Sequence, residues 1–164
     1  MNHVLRLKSR KQQRVELFKD KPIQYYNIGY TDCFNHIFGH YFAQGNKYVS
    51  QDELEFWLNT TNYDDLMDAL GKDDVLRNEV FREIVLIKGM KDAFSDGLYE
   101  RQDIIRMLEK IASRTKFEQH KKTALQTIDY LNGISHKGLS IKDFEIKNVM
   151  GETQNLQQFI QKPL

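Results

Sequence analysis

The segment Asp74–Ser95 constrains the fold of this chain most. Leu76, Val80, Phe81, Ile84, Val85, Leu86, Ile87 and Met90 recur so closely that a helix through them is apolar over most of its circumference. Such a helix needs neighbours on several sides, which makes it the centre of a bundle. Asp96-Gly97 supplies its stop.

Around this segment the apolar pattern is one-sided and helical. Residues 3–19 carry a sparse face of Val4, Leu7, Val15 and Phe18, ending near Asp20-Lys21-Pro22. Tyr30, Phe34, Ile37, Phe38, Tyr41 and Phe42 mark an aromatic face on a helix from about Gly29 to Ala43. Ser50 and Glu53 form a capping box for a short helix with Leu54, Trp57 and Leu58 inside. Asn62 caps a partner helix, Tyr63–Leu70, which Gly71 closes. After the central segment, Ile104, Ile105, Leu108, Ile111 and Ala112 define one amphipathic helix. Phe117, Ala124, Leu125, Ile128 and Leu131 define a last one, ending at Asn132-Gly133. The expected fold is mainly α: an irregular antiparallel bundle of six or seven helices over residues 1–133. No fixed period links the helices, so a tetratricopeptide-type solenoid is not indicated.

The tail departs from this pattern. Phe144, Ile146 and Val149 fall in a short alternating run, Asn148–Gly151 carries turn residues, and Thr153–Phe159 resumes the alternation. These features predict a short C-terminal β-hairpin within residues 134–164. A lone hairpin is marginal in water, so its strands need a sheet, a helical face or a second copy of the chain to lie on.

With 164 residues, 40% hydrophobic and 29% charged, the chain can bury one sizeable core. A net charge of +1 lacks the concentrated basic footprint of nucleic-acid binding. The basic run Lys8–Arg14 reads as the solvated face of a helix. The longest aliphatic run, Ile84–Ile87, is far short of the roughly 20 residues of a membrane span. No apolar leader follows Met1.

Candidate chemistry is thin, and no catalytic, cofactor-binding or metal residue is assigned. Cys33, His36 and His40 share one helical arc at i, i+3 and i+7, and thiolate with imidazole suits zinc. Without a fourth ligand at a recognisable spacing, they read as a core-edge cysteine and two outward histidines. His3, His120 and His136 are isolated and read as surface residues. Asp64-Asp65, Asp73-Asp74 and Glu53/Glu55 lie near helix starts, where negative charge is favourable in its own right. The aromatics Tyr25, Tyr26, Tyr30, Phe34, Phe38, Tyr41, Phe42 and Trp57 read mostly as core, with Tyr25-Tyr26 the least core-like. One cysteine excludes an intramolecular disulfide and a Cys-x-x-Cys site within these residues.

In Gly138, Asp143, Phe144, Ile146, Gly151, Leu156, Phe159, Lys162 and Pro163 the tail resembles the opening of a redoxin domain. The branch is that of the TlpA/ResA-like thiol-disulfide oxidoreductases of the thioredoxin-like superfamily. Ile141-Lys142, Asn148 and Gln161 depart from the Ala-Pro, Asp and Gly of that pattern. Leu70-Gly71-Lys72-Asp73, Leu76-Arg77-Asn78 and Leu86-x-Lys88-Gly89 look like the helical region preceding the redoxin domain in a subgroup of these envelope proteins. The resemblance implies a periplasmic or cell-envelope parent whose reactive Cys-x-x-Cys follows roughly a dozen residues after the Lys-Pro, at a helix start that lowers the thiol pKa. On this expectation the chain is a non-catalytic helical region plus the first strands of a truncated redoxin domain. Its partner would be its own redoxin domain or a redox substrate protein, and a homodimer through the hairpin is conceivable. The alternative is a stand-alone helical interaction module with no redox role.

Overall fold

A computed structural model describes residues 9–133, 145–147 and 153–155. The chain divides into two compact units, Met1–Asp129 and Tyr130–Leu164. Seven α-helices occur among the described residues: α1 Arg10–Phe18, α2 Ile28–Ile37, α3 Gln51–Asn59, α4 Tyr63–Leu70, α5 Glu79–Ser95, α6 Arg101–Arg114 and α7 Glu118–Gly133. A π-helical turn, Tyr41–Gly45, follows α2, and a 3-10 turn, Asp74–Leu76, precedes α5. The protein is thus mainly helical, as its apolar periodicity requires. In the second unit, β1 Glu145–Lys147 and β2 Thr153–Asn155 run antiparallel with Ile146 opposite Gln154. The rest of the expected hairpin, and the residues before Ser9, lie outside the described residues.

Short polar side chains set most helix starts. Ser9 and Gln12 close a capping box on α1, with Gln12 N–H donating to Ser9 Oγ at 3.2 Å and Ser9 N–H to Gln12 Oε1 at 3.0 Å. Ser50 and Glu53 repeat the device on α3, as their spacing predicts. Asn27 caps α2 and Asn62 caps α4.

Two expected helices are interrupted. The aromatic helix does not run to Ala43: it stops at Ile37, and His40 takes a left-handed conformation at φ 57°. That conformation is unusual for a non-glycine residue, and α5 holds it in place. Asp92 Oδ2 accepts His40 N–H at 3.1 Å, and Asp96 Oδ1 meets His40 Nδ1 at 2.7 Å. The central helix likewise begins at Glu79 rather than Asp74. Asp73 caps the 3-10 turn through Val75 N–H, and Asn78 accepts from Val80 N–H at 2.9 Å to start α5. Arg82 then secures the junction, donating to the carbonyls of Leu76 and Arg77 at 2.8 Å each and of Met67 at 3.3 Å. It thereby gives donors to the Leu76 and Arg77 carbonyls at the turn and a second donor to the Met67 carbonyl, which also accepts Gly71 N–H at 3.0 Å.

The core of the first unit forms where α5 meets α6 and the π turn, with α3 against α4 and α6, and α4 also against α5 and α6. A ring cluster ties α1 and α2 to α5. Phe18 stacks on Phe81 at 5.7 Å between centroids and meets Tyr30 and Phe38 edge-on at 5.4 and 5.3 Å. Phe34 and Phe38 also meet Phe81, at 5.9 and 5.4 Å. Edge and offset geometries of this kind add roughly 0.5–1.5 kcal/mol per pair beyond area burial. Arg14 overturns the solvated reading of its basic run: it is only 6% exposed, while Val15, expected inside, is 39% exposed. Its guanidinium lies over the Phe38 and Tyr41 rings at 5.2 and 5.3 Å, so the aromatic face takes a cation where an aliphatic was expected.

At buried Gly89 of α5, an added Cβ would overlap the Phe42 ring of the π turn. Gly89→Ala is therefore expected to lower stability by about 1–3 kcal/mol through overpacking. Urea denaturation of the variant beside wild type measures the loss.

Candidate functional site

Five segments of the first unit bring polar side chains to one buried point. Glu83 lies on α5 between Phe81 and Val85 and is 4% exposed, so its carboxylate must find partners inside. Thr115, where α6 ends, donates its hydroxyl to Glu83 Oε1 and accepts Phe117 N–H at 3.2 Å. Tyr63, the first residue of α4, donates to Glu83 Oε2 at 2.9 Å. His120, in the first turn of α7 and fully buried, places Nδ1 at 2.7 Å from Glu83 Oε1. Tyr25, from the connection between α1 and α2, places its hydroxyl at 2.7 Å from His120 Nε2.

Burial alone would raise the Glu83 pKa. The hydrogen bonds from His120, Thr115 and Tyr63 outweigh it and hold the carboxyl below its ordinary value. Burial, reinforced by the Glu83 charge, pushes the phenols of Tyr25 and Tyr63 up. An ionised Glu83 assigns the proton of a neutral His120 ring to Nδ1, which leaves Nε2 to accept from Tyr25 O–H. A carboxylate–histidine pair of this form can serve acid–base chemistry. Here the hydroxyl facing the imidazole belongs to a phenol that stays protonated, so the network holds Tyr25 in place without making it a nucleophile. Gln119 on α7 donates to the Tyr26 hydroxyl beside it. The connection is thereby fixed to α7 at two adjacent tyrosines; Tyr26 within it and Ile28 at the start of α2 are 83% and 79% exposed.

His120 was expected at the surface because no other histidine or cysteine lies near it in sequence. Two signals point the other way. His120, Ala124 and Ile128 fall at i, i+4 and i+8, one buried stripe of α7. Glu83 stands in a segment apolar all round, where a carboxylate needs a partner. Tyr25 and Thr115 carry no such mark, because the loops that bring them in are set by tertiary packing.

The other sequence candidates separate. Cys33 is half-buried, and burial raises its thiol pKa. His36 is exposed, and the break at His40 removes the third member from the shared arc and turns it to Asp96. Among the described residues no group of three or more His, Cys, Asp or Glu is placed to hold a metal ion. The acidic pairs take part in structural contacts. Asp64 meets Arg114 at 2.9 Å, Asp74 sits between Lys19 and Arg77, and Glu53 is held in its capping box. Arg114 also lies 5.2 Å over the Tyr63 ring, which links this surface pair to the buried network. Among the described residues no helix is long and apolar enough to cross a membrane. No protein-family model, curated protein or solved structure matches the chain.

A carboxyl held low in the folded state contributes stability that is fully present above its ordinary value of 4.5 and is lost as pH falls through the depressed one. The stability gap between wild type and Glu83→Gln is expected to be widest near neutral pH and to shrink below pH 4.5. Urea midpoints across that range read it directly. His120→Ala, which strips one partner from a buried charge, is expected to cost about 3–5 kcal/mol at neutral pH in the same measurement.

Proposed function

We propose that this chain is the helical accessory region of a TlpA/ResA-like thiol-disulfide oxidoreductase of the cell envelope, non-catalytic itself. Its role is to position the redoxin domain or to recognise that domain's partner. The observation that carries the reading is the spacing from Gly138 through Asp143-Phe144, Gly151 and Phe159 to Lys162-Pro163. The antiparallel pairing of Glu145–Lys147 with Thr153–Asn155 supports it, because those residues fall where the redoxin pattern begins its strands. In the parent, a thiolate attacks a substrate disulfide to form a mixed disulfide and release one substrate thiolate. A resolving cysteine then displaces the second substrate thiol and closes the enzyme disulfide. Cys33 suits neither role: it is the single cysteine of these 164 residues, and its thiol is pushed up where attack requires a thiolate. The face that recognises the partner is the outward pair Tyr26 and Ile28, fixed from beneath by Tyr25–His120 and Gln119–Tyr26. The same fixed apolar pair also suits a second reading, a stand-alone helical interaction module with no redox role.

The reading frame beyond Leu164 separates the two. The redox reading expects a β-strand and then Cys-x-x-Cys within about twenty residues, and a frame lacking the pair favours the stand-alone module. On the isolated chain, insulin reduction is expected to be at background. Iodoacetamide should modify Cys33 more slowly at neutral pH than it modifies free cysteine, because the thiolate fraction is lowered and the sulfur half-covered.

A further inference from the structure

A cleft of about 430 Å3 opens between α1, the loop after the π turn and the 3-10 turn. Its volume falls within the range of small-molecule sites. Four cations line it: Arg10, Lys11 and Arg14 from α1, and Lys47 from the loop. Two carboxylates, Asp73 and Asp74, face them, and both are already engaged. Asp73 accepts Val75 N–H at 3.1 Å and the Tyr41 hydroxyl at 2.9 Å, while Asp74 is bound by Lys19 and Arg77. Lys11 and Lys47 make no ion pair among the described residues, and with Arg10 and Arg14 the cations of the cleft outnumber its two carboxylates, one of which is already shared by Lys19 and Arg77. Arg14 lies behind Lys11 and Lys47, held between its contacts with the Phe38 and Tyr41 rings and a 3.4 Å hydrogen bond to Ile37 carbonyl. A guanidinium fixed this way loses little rotamer freedom on meeting an oxyanion. Val15 and Tyr48, each a little over one-third exposed, supply apolar wall for the body of an organic ligand.

We propose that this cleft binds a small-molecule oxyanion of at least two negative charges, gripped between Lys11 and Lys47 and backed by Arg14. The charge can be phosphate or carboxylate, since both offer paired oxygens to ammonium and guanidinium groups. The site is independent of the redoxin reading. It uses only α1, the loop and the 3-10 turn, and would hold equally in a stand-alone module.

Isothermal titration of the full chain at low salt, with inorganic pyrophosphate in one arm and citrate in the other, tests it. Saturable binding of one equivalent is expected in at least one arm, and the tighter arm identifies the oxyanion. The double variant Lys11→Ala, Lys47→Ala should weaken that binding at least about tenfold, a loss of about 1.4 kcal/mol. The variant Lys121→Ala, Lys122→Ala removes the same charge from exposed positions on α7 and should leave affinity unchanged. Arg14→Lys keeps the charge but loses the planar fork, and should also weaken binding, with its urea midpoint read alongside to separate folding from affinity. Absence of saturable binding up to about 1 mM in both arms overturns the proposal. So does an equal loss from the α7 pair, which would reduce the effect to net charge.

Discussion

The buried carboxylate of Glu83 is the constraint on which the first unit most depends. An isolated carboxylate in an apolar interior is untenable, and this one is tolerated because Thr115, Tyr63 and His120 each bring a donor to it. Those donors come from the end of α6, the start of α4 and the first turn of α7, so satisfying one charge fixes the mutual placement of four helices. Buried ionic networks in general add little to raw stability compared with a well-packed hydrocarbon replacement. What this one contributes is directional: hydrogen bonds accept one arrangement where hydrocarbon contacts accept several.

The same constraint reaches the surface. His120 carries the polarity of Glu83 outward to Tyr25, which orders a connection that has no helix of its own between α1 and α2. Tyr26, next in the chain, and Ile28, which opens α2, are left outside. A loop tied down at its tyrosines presents apolar groups without losing much conformational entropy on binding, which suits a recognition surface on a rigid support. The recognition role proposed for the helical region draws on this arrangement, and the redoxin proposal draws on the tail's spacing.

Arg14 and His40 show how tertiary contacts override a local pattern. Arg14 belongs to a basic run that locally suggests solvent, yet the Phe38 and Tyr41 rings that follow α2 take its cation between them and offset part of the cost of burying it. His40 lies in an aromatic series whose period is helical throughout, yet Asp92 and Asp96 at the far end of α5 hold it left-handed and break the helix. In both cases the deciding partner is distant in sequence, so neither outcome shows in a local window.

The sequence by itself determined the helical class, the caps at Ser50 and Asn62, the apolar residues of α3, α5 and α6 and the stop at Asp96-Gly97. All of these rest on interactions within one helical turn or on a period of 3.6 residues. It also marked Tyr25-Tyr26 as the aromatics least suited to the core. Only the tertiary structure decided that α5 begins at Asn78's cap, that Arg14 turns inward, and that His120 joins Glu83. Asn78 and Asp73 are both competent caps, and packing of the 3-10 turn against α1 and α5 lets both act. The meeting of Glu83 with His120 across 37 positions depends on how α6 returns the chain to α5. Such a pairing is a property of the packed helices, because each residue's own helix accounts only for the direction its side chain takes.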